Sequence, residues 1–459
     1  MGDTHVRERI PNLALDQVIA ASGASHKALA HRINELALQW GHETHYTHTS
    51  VANWLRGMTP QWPVPMLIAT ALQERLGRRV TMADIGMTHA EPIETTLGLD
   101  FPRDLPSAVV GTTQFWSHMH RRTFMDAVFA ATALATPVVR WLTQPADPEA
   151  EHRGGRRVGR RDIAELHEAA EHARHWDSRY GGGSSGASLV THVLQTKAAP
   201  LLEGSYPDQI GRELFSATAQ LARLAGFAAA DMHRHGLAQR HYTQALRLSR
   251  AAGDVPLGGY VLASMAMQAS LTGHLTEAID MAQAATERTK HAATPRTLAF
   301  FALIEARAHA RAGDRNPAEH AFARSERLLG RATGADDPQW IDFFGFPRLA
   351  ADAAEIYRDL RMPGQVMHWN ALAAMPTAKF VRSHGLRLTV IASSHSQAGN
   401  LDEALHAGHQ AIDVLTPVTS QRSVQYLGDF LQGLTPWSHE KSVQEIKRRA
   451  ARELAIRVA

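Results

Sequence analysis

The chain has 459 residues, 44% of them apolar and 20% charged, with no cysteine and a net charge of +3 at neutral pH. This is the composition of a globular chain with core enough for two to four domains, and it excludes a disulfide framework, thiolate metal sites and a thiol nucleophile. The most apolar stretch, residues 124–142, is broken by Asp126, Pro137 and Arg140, so no membrane span is expected.

The first thirteen residues, MGDTHVRERIPNL, lack the apolar core of a secretory leader, and a cytoplasmic location is expected. Asn12 is placed to cap a first helix running to about Gln17, and Gly23 ends the turn that follows. Ser25 caps a second, in which Leu29, Ile33, Leu36 and Trp40 recur at helical spacing until Gly41. A polar loop leads to a short third helix, TSVANWLRG, with Val51, Trp54 and Leu55 facing inward and Gly57 at its end. Pro63 opens a fourth helix, and TMADIGM closes the unit, giving a predicted domain over residues 1–87. That unit holds eight Lys/Arg against seven Asp/Glu. The balance is too even to hold DNA by charge alone, so its basic groups must be well placed or supplemented.

Residues 88–160 are expected to be a helical connector. Pro92, Pro102 and Pro106 break its start, a helix is predicted from Ser107 to about Thr136, and the polar QPADPEAEHRGGRRVGRR stretch is expected to be a mobile hinge.

From residue 161 the predicted fold is an α-solenoid of TPR-like helical hairpins, making the whole chain all-α. Small and aromatic residues recur at a spacing of about 40: Gly226, Ala229, Ala238, Tyr242 and Ala245; then Ala266, Ala269, Gly273, Ala278, Ala282 and Ala285; then Ala306, Gly313, Ala318 and Phe322; a weaker Tyr357, Gly364 and Val366; and Ala392, Gly399, Ala404 and Ala411. Gly273, Gly313 and Gly399 each stand five residues before an alanine. Small residues suit close packing of the two helices of a hairpin. A divergent first hairpin, split by the glycines 181–183, precedes the series. A basic amphipathic helix caps its end.

Candidate functional residues fall in two places. On the third helix His48, Thr49, Ser50, Asn53 and Arg56 point outward. Asn pairs bidentately with adenine and Arg with guanine in the major groove of double-stranded DNA. Ser25 and Lys27 at the start of the second helix, and Arg78 and Arg79 after the fourth, suit phosphates. In the repeats, helical register places Arg223, Phe227, Asp231, Tyr260, Met267, Arg307, Arg311, Arg348, Glu355 and Arg358 on the concave wall. Arginines beside aromatics there suit a peptide carboxylate or another small anionic effector, and a solvated groove or dimer interface is the plainer alternative. His42, His45 and His48 lack the spacing and carboxylate of a metalloprotease, and RGGRRVGR lacks the strand and Lys-Ser/Thr of a P-loop. No metal, cofactor or enzymatic activity is expected.

The order Ser25, Leu29, Ala30, then Ser50, Val51, Asn53, Trp54, Gly57, then Pro63, Leu67, Leu76 and Asp84–Ile85–Gly86 resembles an Xre/Cro-type helix-turn-helix, with a longer link between its two helices than that family uses. The whole chain resembles the large actinobacterial regulators that join an Xre-type head to a C-terminal TPR region. The segments that carry the likeness are TLGLDFPRDLPSAVVGTTQFW, ALATPVVRWL, RRVGRRDIAEL, DSRYGGGSSGASLV and the repeats. Some members repress sporulation and antibiotic production. The resemblance therefore implies a homodimeric, DNA-binding repressor of development or secondary metabolism whose repeats dimerise and sense an effector. A TPR adaptor whose head does not read DNA is the alternative.

Overall fold

The structure, a computed structural model, describes residues 11–39, 44–58, 60, 64–78, 80–82, 84–87, 96–119, 127–183, 185–373 and 380–454. Among them there is helix and connecting loop but no strand, and two units divide the chain at residues 96 and 97.

In the first unit, α1 (Leu13–Ser22), α2 (His26–Gln39), α3 (His48–Leu55) and α4 (Val64–Leu76) enclose Leu15, Leu29, Ile33, Val51, Trp54, Leu67, Ile68 and Leu72. The caps are those the sequence predicts. The Leu15 amide donates to Asn12 Oδ1 at 3.0 Å, and the Ala28 amide donates to Ser25 Oγ at 3.2 Å. Asn12 also donates from Nδ2 to the Ile85 carbonyl at 2.9 Å, tying the closing turn to the start of α1.

The second unit begins with α5 (Leu105–His118), a 3₁₀ turn over Ala131–Leu134 and α6 (Ala135–Thr143), followed by α7 (Arg160–Tyr180) and α8 (Ser185–Val193). Five antiparallel hairpins come next: α9 (Asp208–Asp231) with α10 (His235–Ala252), α11 (Val255–Leu271) with α12 (Leu275–Thr289), α13 (Pro295–Ala312) with α14 (Arg315–Leu329), α15 (Phe346–Asp359) with α16 (Pro363–Leu372), and α17 (Val381–Gln397) with α18 (Leu401–Leu415). They coincide with the five sequence repeats. The alanines of the pattern, among them Ala238, Ala266, Ala278, Ala306, Ala318 and Ala404, are fully buried. Then α19 (Gln421–Gly433) leads to α20 (Lys441–Leu454), which buries Val443, Ile446 and Ala450 and closes the end of the stack.

Every hairpin turns through a residue with positive φ. Gly273, Gly313 and Gly399 do so at 84°, 83° and 79°, but His233 (58°) and Arg361 (55°) do it in the first and fourth hairpins. Gly364, the sequence marker of the fourth repeat, lies inside α16. The left-handed turn is fixed by the geometry of the hairpin, and glycine is only its cheapest occupant.

The segment expected to connect the two domains packs, from residue 97 on, against the outer side of α10. Arg247 is fully buried there. Its Nη1 and Nη2 donate to Asp147 at 2.7 and 3.1 Å, and its Nε donates to the Pro102 carbonyl at 2.7 Å. The helix predicted for 107–136 ends at His118. Gln239 holds Ala130 in extended backbone by accepting from its amide at 3.1 Å and donating to its carbonyl at 2.7 Å, which helix would forbid. The Gly/Arg-rich stretch expected as a mobile hinge is pinned on the 205–206 turn. The His152 amide donates to the Tyr206 carbonyl at 3.0 Å, the Tyr206 amide returns to His152 at 2.9 Å, and the Val158 amide donates to Ser205 at 3.0 Å.

Candidate DNA-reading face and inner groove

Helix α3 is anchored on one side and open on the other. Val51 and Trp54 are buried, and Tyr46 meets Trp54 edge to face at 5.4 Å. The loop before α3 hangs on Asn34, whose Nδ2 donates to the Tyr46 carbonyl at 2.9 Å while its Oδ1 accepts from the Tyr46 amide at 2.9 Å. His48, Thr49 and Arg56 are exposed; Ser50 and Asn53 are half-buried. Ser50 is partly committed, because its hydroxyl accepts the Thr47 amide at 3.2 Å and so holds the start of the helix. Arg56 Nη1 reaches Asn53 Oδ1 at 3.5 Å, so the two candidate base readers are neighbours on one face. Ser25, Lys27 and Arg78 are exposed at the ends of their helices. Arg79, His42 and Pro63 lie outside the described residues.

The structure brings the repeat-domain candidates together on an inner wall that the chain itself fills. Around Phe227 stand three guanidiniums: Arg382 and Arg422 at 5.4 Å and Arg223 at 5.9 Å from the ring centre. Arg382 donates from Nη1 and Nη2 to the two oxygens of Asp177 at 2.9 and 2.8 Å, and it lies 3.3 Å from Asp231. Arg422 lies 3.2 Å from the other Asp231 oxygen. Burial pushes the Asp231 carboxyl up, but Arg382, Arg422 and the Gly182 amide outweigh it and hold the group below its usual range. Arg223 stacks on Tyr260 at 4.2 Å and donates to Ser264 Oγ at 3.4 Å, and Tyr260 stacks in turn on Trp340 at 4.6 Å.

A second network lies along α13, α15 and α19. Arg307 bridges Asp352 at 2.9 Å and Glu355 at 2.6 Å. Arg348 holds Asp352 at 2.7 Å, Arg358 holds Asp359 at 2.6 Å, and the Tyr426 hydroxyl donates to Glu355. Burial raises the Glu355 carboxyl, but Arg307, Arg358 and Tyr426 draw it down to about 2. Met267, Arg307, Arg311, Glu355, Asp359 and Arg422 line a cavity of about 20 Å³, room for a single water molecule. The arginines expected to face a ligand are thus mostly neutralised by the chain's own carboxylates. Among the described residues, Arg223 and Arg311 have no acidic partner within ion-pair distance.

Asp177, Asp352, Arg382, Arg422 and Tyr426 complete the site and were not foreseen. Asp177 and Arg382 are 205 positions apart in sequence, and nothing in local periodicity joins them. Among the described residues no three His, Asp or Glu side chains cluster as metal ligands, and no helix is long and apolar enough to cross a membrane.

A family described as the SP15 N-terminal domain matches residues 15–88, nearly the span of the four-helix first unit. No curated protein matches the chain.

Proposed function

We propose that the chain is a sequence-specific DNA-binding transcriptional regulator, a homodimeric repressor of development or secondary metabolism, and not an enzyme. The observation that carries this is the short helix α3, anchored by Val51 and Trp54 and presenting His48, Thr49, Asn53 and Arg56 away from the core. A rod of eight residues with Asn53 on its open face and Arg56 at its C-terminal cap has the dimensions and donor pattern for the major groove. The repeat body dimerises, sets the spacing of two heads on a pseudo-palindromic operator in the cytoplasm, and responds to a small or peptide effector.

Capture of genomic DNA on the native protein, followed by gel shift on the recovered sites, tests this. Asn53→Ala and Arg56→Ala should each weaken operator binding by about 1–3 kcal/mol while leaving the helical signal unchanged. Unchanged affinity in both variants removes α3 as the reading helix. The near balance of charge in residues 1–87 favours the second reading, a TPR adaptor, and an absence of discrete captured sites would select it.

A further inference from the structure

The turn after α7 meets the loop between α18 and α19 on the inner wall of the repeat unit. The Thr419 amide donates to the Tyr180 carbonyl at 2.9 Å and the Gly183 amide donates to the Thr419 carbonyl at 2.9 Å, so the backbone of residue 419 is held by both ends of the 180–183 turn. Gly181 and Gly183 make this approach possible, and Gly182 lets the same turn close on α9. A Cβ on Gly181 would stand 2.5 Å from the Thr419 carbonyl oxygen, one on Gly182 2.6 Å from that of Ala228, and one on Gly183 2.5 Å from Thr419 Cγ2. Beside this contact Asp177, on the last turns of α7, lies in the two-pronged grip of Arg382.

A guanidinium holding a carboxylate through two parallel bonds is the geometry by which proteins recognise an acidic ligand. Here the ligand's place is taken by a residue of the chain. Asp177 is also the more exposed carboxylate of the pair, its side chain 20% accessible against 1% for Asp231. Removing Asp177 leaves Asp231 as the carboxylate, among the described residues, within ion-pair distance of Arg382 and Arg422, two of the three arginines around Phe227. Arg311, with no carboxylate within ion-pair distance among the described residues, lines the neighbouring cavity together with Arg422.

We propose that this wall is a binding site for acidic peptides, and that α7 and the 180–183 turn occupy it as a built-in competitor. The structure is then the closed state. An acidic peptide binds by displacing Asp177 from Arg382, and the pairing of Thr419 with residues 180 and 183 opens with it. The tethered occupant competes at the effective concentration of a short linkage, on the order of millimolar, so the wild-type protein binds free peptide weakly. Such a ligand shifts the closed and open populations by its preference for the open one. This inference deepens the effector part of the proposal above and rests on it, but not on DNA reading, since its measurements contain no DNA.

The experiment uses the full chain, a fluorescein-labelled hexaglutamate peptide and hydrogen exchange read by mass spectrometry. Asp177→Asn keeps the shape of the side chain and removes its charge. It should bind the peptide at least tenfold more tightly than wild type by anisotropy, and amide exchange at Gly183 and Thr419 should quicken at least tenfold. Adding Arg382→Gln to Asp177→Asn should abolish the gain, and a hexalysine peptide should not bind. Circular dichroism establishes that each variant is folded. If a folded Asp177→Asn protein binds hexaglutamate no better than wild type, the ligand class is wrong. If exchange at Gly183 and Thr419 is unchanged, residue 177 does not hold the closed state. Either outcome overturns the proposal while leaving the operator measurements above as they stand.

Discussion

Substituting Asp147 with alanine should undo the docking of residues 97–119 and 127–147 on the helical repeats. The Arg247 guanidinium is wholly inaccessible, and Asp147 is only 4% accessible. Three of the donor directions of Arg247 are used, two on Asp147 and one on the Pro102 carbonyl, with the Phe101 ring at 5.8 Å. Asp147→Ala takes away the counter-charge and two charge-assisted bonds and strands a cation among Phe101 and the buried side of α10. Breaking a buried pair from one side costs about 3–5 kcal/mol, because the remaining charge keeps its desolvation penalty. Arg250, 3.8 Å from the same carboxylate, loses a partner too. Replacing both groups by apolar residues of similar size, Arg247→Met with Asp147→Leu, removes the penalty along with the attraction and should leave stability within about 1 kcal/mol of wild type. Hydrogen exchange over residues 97–118 reads the opening free energy of this segment, and urea denaturation reads the whole unit. A loss below about 1 kcal/mol for Asp147→Ala, the size of an ordinary surface change, would refute the reasoning. So would a double variant as unstable as the sum of the two single ones, since the cycle would then show no coupling.

Two further predictions concern stability. Burial draws the imidazole of His241 down to about 3, and neither ring nitrogen has a hydrogen-bond partner. Between pH 6.5 and 3 the unfolded chain therefore binds a proton that the folded chain refuses, and stability falls as pH falls, by about 1.4 kcal/mol per unit. His241→Leu should flatten the urea-midpoint slope between pH 7.5 and 5, and an identical slope in both proteins would contradict a neutral core histidine. Arg361, exposed and at a φ of 55°, carries the strain of a left-handed residue with a side chain. Arg361→Gly should raise stability by up to about 1 kcal/mol and Gly313→Ala should lower it by about as much; a lower thermal midpoint for Arg361→Gly would show that the turn is not strained.

Much of the architecture was legible because it rests on local chemistry. The caps at Asn12 and Ser25, the inward Val51 and Trp54 and the alanines at hairpin crossings all act over one or two turns of helix, so their spacing alone announces them. Helical register made Arg223, Phe227, Asp231, Tyr260, Arg307, Glu355 and Arg358 candidates for a concave wall, but what these side chains pair with was not legible. Asp177 and Arg382, or Glu355 and Tyr426, meet only after several hairpins have stacked.

The sequence by itself determined an all-helical chain, a four-helix first unit and five hairpins in their places, because period, cap and turn chemistry are encoded within each segment. Tertiary structure alone decided that Arg240, Gln244 and Arg247, polar enough for a wet surface, are buried and bonded to Leu97, Gly98 and Asp147. It also decided that Gly181 and Gly183 serve contact with Thr419 and Gly182 contact with Ala228, and that most of the groove's arginines meet carboxylates of their own chain. Long-range ion pairs and backbone approaches carry no periodicity. Their partners are chosen by how the hairpins stack, and no segment contains that information alone.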